Sequence, residues 1–182
     1  MGRGRARTDA RYSAGTLVCG RAGHAAFFPM TPADHRVDDL IQLWLATALL
    51  VRAGGRTIDL DTIAQEAWEA AIAPLRAPVT LVTAWNPGGR ETTAAINRAA
   101  NRQLQAALDA RSWSWRPALG RAHDGSWAEP GFAIGGLSEA AAADLGAEWQ
   151  QLAVFVISAD EVIVLASDRS IWAMRPRGLP SA

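Results

Sequence analysis

The stretch "VTLVTAWNPGGRETTAAINRAANRQL" (79–104) decides the fold. Its first part, "VTLVTAW", is continuous and β-branched, which suits a strand covered on both faces. Asn86, Pro87, Gly88 and Gly89 then stop the run. Pro87 fixes its own φ, and Gly88 and Gly89 can take positive φ, so the chain can turn sharply there. Helix-forming sequence follows over roughly 91–110. A buried strand that runs at once into a helix predicts a sheet with helices on its faces.

Upstream, "LWLATALLVR" (43–52) and "AGGRTIDL" (53–60) are apolar stretches with Gly54-Gly55 between them, a hairpin signal. Asp61 or Thr62 is expected to cap a helix reaching Ala73. Thr62 and Gln65 have capping-box spacing, and Pro74 and Pro78 close the segment. Downstream, "SWSWRPALG" (112–120) alternates, with Trp113 and Trp115 on one face. "GFAIGG" (131–136) reads as a short strand. Ser138 caps a helix to about Trp149. "LAVFVIS" and "EVIVLAS" are two strands turned at Ala159-Asp160. The predicted order is ββα–βα–ββ–α–ββ. That is a single α+β domain, with a mixed sheet of about five to seven strands and about three helices on its faces. Its span is 39–168, between an N-terminal tail (1–38) and a C-terminal tail (169–182).

The glycine turn also has a chemical reading. Free N–H groups at a helix start attract anions, and glycines permit close approach. Asn86, Gly88, Gly89 and Arg90 are therefore candidate ligand-binding residues, although the Gly-Lys-Ser/Thr ending of a P-loop and a Rossmann fingerprint are both missing. A plain strand-to-helix turn is the competing reading. Asn97, Asn101, Leu104 and Leu108 recur on one stripe of the helix. The leucines mark that stripe as the core side, so the two asparagines either brace the 83–90 loop or read a ligand. Arg121 and Gln151 complete the candidate set. Carboxamides recognise polar groups well and make poor nucleophiles, so this set suits holding a small polar or anionic ligand.

The segment "GRAHDGSWAEP" (120–130) gathers Arg121, His123, Asp124 and Glu129. His123 as general base and Glu129 as acid would make a hydrolase or nuclease-like site; the alternative is a polar surface loop. A third reading is an interaction module without a pocket, with Trp113, Trp115 or Trp127 packing on a partner. Asp59 and Asp61 suit a turn and a helix cap better than Mg²⁺. Cys19, His24 and His35 match no usual zinc spacing. No metal or cofactor is expected.

"VTAWNPGG", "INRAANRQL", "GRAHDGSWAEPGF" and "QLAVFVIS" together resemble the bacterial family called domain of unknown function 3293, over about 43–166. The Thr-Ala-Trp-Asn-Pro string at 83–87 is the most specific part. The resemblance implies a compact α/β protein and no particular activity. Asn97, Asn101, Gly120, Trp127, Glu129 and Gln151 fall on family-like positions. The chain departs from the pattern at Ile96, where an acid is usual, and at Ala100, where Arg is common. It also departs at Gly131, where Ser is usual, and at Gln150, where Gly is.

Composition sets the outer bounds. The 182 residues carry 18 basic and 18 acidic side chains, and every basic one is Arg. Zero net charge gives no support to nucleic-acid binding, except through residues 1–36, where six Arg face two Asp. No apolar run approaches the roughly 18 residues of a membrane span. A single Cys fits a reducing cytoplasm. Oligomeric state is not written in the sequence.

Overall fold

A computed structural model describes residues 37–178 of the protein. The elements, in chain order, are α1 (Val37–Leu45), β1 (Thr47–Ala53), β2 (Arg56–Asp59), α2 (Trp68–Ile72) and β3 (Val79–Val82). They continue with α3 (Ala94–Ala110), β4 (Trp115–Ala122), β5 (Ala128–Gly135), α4 (Glu139–Glu148), β6 (Ala153–Ile157), β7 (Glu161–Ala166) and β8 (Ile171–Pro176). Short 3₁₀ turns at Gln65–Ala67 and Pro87–Gly89 precede α2 and α3. The α+β class stands. Among the described residues the counts rise to eight strands and four α-helices.

The eight strands form one sheet in the order β2-β1-β4-β5-β3-β6-β7-β8. Every neighbouring pair is antiparallel, which corrects the expected mixed sheet. The correction has a simple cause. Strands β3 and β4, joined through α3, do run the same way, but β5 lies between them. Likewise β5 and β6, joined through α4, are parallel in direction and separated by β3. Helical crossovers predict the direction of the strands they join; here a third strand fills each gap.

Three local expectations also change. The apolar run from 43 is open to helix or strand, with the hairpin signal favouring a strand; it divides, with α1 up to Leu45 and β1 from Thr47. Ala46 N–H then closes on Gln42 O and the Thr47 hydroxyl donates to Leu43 O. A continuous apolar run has no period with which to mark that switch. The capping box at Thr62 and Gln65 does not form. The Thr62 hydroxyl donates to Asp59 O, and α2 starts only at Trp68. The segment taken as a C-terminal tail carries β8, paired along β7. It is fastened there by Arg175 on the Asp61 carboxylate and by Arg177 over the Trp68 ring, 4.5 Å from its centroid. Asp61 therefore anchors β8 and caps no helix. The expected N-terminal tail (1–38) overlaps α1 at 37–38, and its remainder lies outside the described residues, as do Cys19, His24 and His35.

Two apolar layers hold the sheet. On one face Val82, Phe132, Ile134 and Val156 pack against Leu104 and Leu108 of α3 and Ala142 and Leu145 of α4. The opposite face is covered in two places. Trp68 and Ile72 of α2 lie over Val79, Leu81, Ala133 and Ile157. Trp44 of α1 packs with Phe155 and Trp172 over β6–β8. Period-2 alternation puts Glu129 and Gly131 on the same face as Ala133. On that face a cleft lined by Trp44, Leu49, Leu81 and Phe155 reaches Glu129 and Gly131.

Candidate functional site

The loop after β3 is built by its own side chains. Asn86 sits in the left-handed region at φ 48°, and Gly88 and Gly89 follow at 66° and 68°. Asn and Gly are the residues that accept this conformation at least cost. The loop's backbone amides are then consumed one by one. Gly88 N–H donates to Gln150 O at 2.6 Å, Gly89 N–H to Asn86 O at 2.9 Å and Arg90 N–H to Pro87 O at 3.4 Å. None of the three is left to hold an anion. The helix also starts later than the turn, at Ala94, with Thr93 as its cap. Arg90 is exposed.

The two asparagines on the core stripe of α3 brace this loop. Asn101 Oδ1 accepts Ala84 N–H at 2.8 Å, and its Nδ2 donates to Pro130 O at 2.6 Å. Asn97 Oδ1 accepts Asn86 N–H at 2.8 Å and the Thr92 hydroxyl at 2.6 Å; its Nδ2 donates to Asn86 Oδ1 at 2.9 Å. Asn97 is 1 % exposed, so its whole polar capacity faces protein. On the far side, Gln151 Nε2 donates to the backbone oxygens of Trp85 and Trp149, both at 3.2 Å. Asn86, Asn97, Asn101 and Gln151 therefore do converge on the 83–90 loop, and most of their hydrogen bonds fix its shape.

One group in this assembly has unspent capacity. Asn86 Nδ2 donates to Glu129 Oε1 at 3.0 Å, the one hydrogen bond that carboxyl makes among the described residues. Glu129 shows some surface as a whole residue while its carboxyl is enclosed. Burial pushes that carboxyl up to about 7 from its ordinary 4.5, with the Asn86 bond pulling it partly back. Three adjoining clefts share Glu129 and Trp127. One of about 90 Å³ lies over the sheet beside Trp44, Thr47, Gly120 and Gly131. One of about 80 Å³ is roofed by Leu40, Leu43 and Trp44 of α1. The third, about 430 Å³ and open, is the mouth, with Glu91, Thr92 and Asn97 on its rim. Gly120 stands opposite Glu129 across β4–β5; a Cβ there would come within 3.5 Å of Thr47 and 3.9 Å of Trp127. Trp127 Nε1 is buried and has no acceptor among the described residues.

The other expected site residues fall elsewhere. The segment 120–130 is a hairpin, with β4 ending at Ala122 and β5 starting at Ala128. His123 and Asp124 sit exposed at its tip, where Asp124 Oδ1 accepts Ser126 N–H, an interaction that holds the carboxyl below its usual range. His123 and Arg121 line none of the three clefts around Glu129. Trp113 lies beneath the Arg111 guanidinium; Trp115 is edge-on to Phe132 and bonded to Asp109. Both are half-buried. Among the described residues no cluster of three His, Cys, Asp or Glu could hold a metal ion. No described helix is long and apolar enough to cross a membrane. The sequence reading missed Trp44 and Trp85 as cleft walls, because α1 was not seen and the loop Trp carries no period. An acid at an inward position of β5 was the available signal for Glu129.

Residues 82–154 match the family model described as "Protein of unknown function (DUF3293)". The chain is similar to that family through this segment. The matched DUF3293 stretch runs from the end of β3 into β6, so it contains Asn86, Asn97, Asn101, Trp127, Glu129 and Gln151. It leaves out α1, which contributes Trp44 to the clefts. Comparison with curated proteins and with solved structures gives no match.

Proposed function

We propose that this protein, which is similar to the DUF3293 family over residues 82–154, is a binding protein for a small polar ligand, seated in the clefts that meet at Glu129. The observation that carries the reading is the enclosed Glu129 carboxyl, braced by Asn86 and otherwise open to the clefts. A concave, mostly apolar site with a few convergent polar groups is the usual form of a small-molecule pocket. The surrounding asparagine framework supports the reading, since it fixes Asn86 and hence the carboxyl before any ligand arrives. The lone cysteine suits a cytoplasmic setting for this role.

A hydrolytic alternative rests on Glu129 alone, whose proton affinity near neutrality suits general acid–base chemistry. His123 and Arg121 supply nothing to that cleft, so binding is the stronger reading. A thermal-shift panel of small polar compounds tests it, because a ligand that binds the folded state raises the melting temperature. Hits on the wild type that vanish in Glu129→Gln are expected. Hits indifferent to that substitution, or turnover of an ester or phosphodiester lost with it, would displace the reading.

A further inference from the structure

The three clefts around Glu129 share a charge pattern. Among the described residues, their charged lining side chains are Glu129 and, at the mouth, Glu91, with no Arg or His. This is notable in a chain whose every basic residue is Arg and whose net charge is zero. The basic residues near in sequence point away. Arg90 is exposed and its backbone N–H is committed to Pro87. Arg121 pairs with Ala128, one residue out of phase with the Gly120–Glu129 pair, so its side chain leaves from the other face of the sheet. The walls are indole rings: Trp44, Trp85 and Trp127. Indole is the best of the aromatic faces for a cation.

From this geometry we infer that the ligand is a small organic cation bearing N–H groups, an amine or amidine on an apolar body. Its N–H would donate to the free oxygen of Glu129, and its body would lie against Trp44, Trp85 and Trp127. An anion would meet two acidic side chains and, among the described residues, no compensating charge. In a partly desolvated cleft that is costly, while the opposite charge is held more strongly than in water. The two narrower clefts are small, about 80 and 90 Å³, which suits a free small molecule over the side chain of a longer peptide.

The inference rests on the Glu129 cleft being a ligand site, and a matched series separates the two. Phenethylamine, 2-phenylethanol and phenylacetate share one body and differ in charge; benzamidine, benzamide and benzoate form a second set. Titration calorimetry and thermal shift on the full chain at pH 8 should show binding of phenethylamine or benzamidine. Their neutral partners should bind at least tenfold more weakly, and the acids not at all. Glu129→Gln should remove at least tenfold of the amine affinity, bringing the amines down to the level of the neutral compounds. Glu139→Gln, at an exposed acid that lines none of the clefts, is the control for general acidity and should change amine affinity less than threefold. Lowering the pH from 8 to 6 should weaken amine binding about tenfold, as Glu129 takes up its proton. Glu129-dependent binding of the neutral or acidic compounds without the amines would overturn the cation while keeping the ligand site. Binding of a tripeptide with a central arginine in place of the free amines would also overturn it. No binding by any compound would reject both.

Discussion

Asn86 and Glu129, 43 positions apart, are joined by a single hydrogen bond of 3.0 Å from Nδ2 to Oε1. That bond connects the two halves of the site. On one side is a loop held in the left-handed region and pinned by α3. On the other is an acid on a central strand, facing a cleft. Because the brace is neutral, it does little to offset the burial of the carboxylate, so the proton affinity rises. A guanidinium at the same place would have lowered it.

A pH-dependent stability follows. The folded state binds the Glu129 proton more tightly than the unfolded chain, whose value is near 4.5. Between about 4.5 and about 7 the native protein therefore carries more protons. Stability falls as pH rises through that window and stays reduced above it, by on the order of 2–3 kcal/mol. Glu129→Gln keeps an acceptor for Asn86 and removes the titration. In urea melts the variant should gain on the wild type as pH goes from 5 to 8. A stability difference that is the same at both pH values would refute this account.

Asn97→Ala should destabilise the protein strongly. The substitution strips partners from Asn86 N–H, Asn86 Oδ1 and the Thr92 hydroxyl at a site 1 % exposed. Unsatisfied buried groups cost about 1–3 kcal/mol each, and partial relaxation of the loop leaves an expected loss of about 2–4 kcal/mol. Asn97→Asp should be no rescue, since a carboxylate cannot donate to Asn86 Oδ1 and would sit against it. A loss under 1 kcal/mol in Asn97→Ala would mean that the loop holds itself.

How far the sequence reaches can be judged from particular residues. The Leu104–Leu108 stripe placed Asn97 and Asn101 inward, and β-branched runs located β3, β6 and β7; these are local signals of period and propensity. The glycine turn was legible for the same reason, since positive φ is a property of one or two residues. Hidden were the facts that depend on what lies across space. Nothing local says that β5 slots between β3 and β4, which makes every pair antiparallel. Nothing in "GRAHDGSWAEP" separates His123 at a hairpin tip from Glu129 on an inward strand position; one residue of phase decides it. The anion reading of the loop was undone by Gln150 and Asn86 oxygens, acceptors that spacing alone could not assign.

Asp61 is expected to behave as an anchor. Its carboxylate accepts both Arg175 terminal nitrogens and the Gly178 N–H, with both side chains of the ion pair about 11–12 % exposed. Removing one partner of a buried pair leaves the other uncompensated, which typically costs 3–5 kcal/mol. Asp61→Ala should lose about that much in chemical denaturation, and a chain ending at Asp168 should fail to fold. A cooperative, near-native transition for the truncated chain would return β8 to the status of a tail.

Arg90→Ala should be silent. Arg90 is exposed and lines none of the clefts around Glu129. Stability should stay within about 0.5 kcal/mol, as for most surface substitutions, and amine binding should be unchanged. A loss of affinity for an acidic compound in this variant would revive the anion reading of the turn.

Gly88 gives a test free of steric confusion. Its φ is 66°, and a Cβ built there meets nothing within 4 Å. The cost of a side chain is therefore conformational and nothing else. The left-handed region is hardest for a β-branched residue and easiest for Asn, so Gly88→Val should cost about 1–3 kcal/mol and Gly88→Asn clearly less. The same residue donates its N–H to Gln150 O, which ties the loop to the segment carrying Gln151 at the cleft wall. A shift at Gly88 should thus also loosen that wall. Gly88→Val is expected to weaken ligand binding along with stability, and Gly88→Asn to spare both. Thermal melts and calorimetry on the two variants read the two effects separately. Equal losses for Val and Asn would mean that crowding, rather than φ, sets the cost.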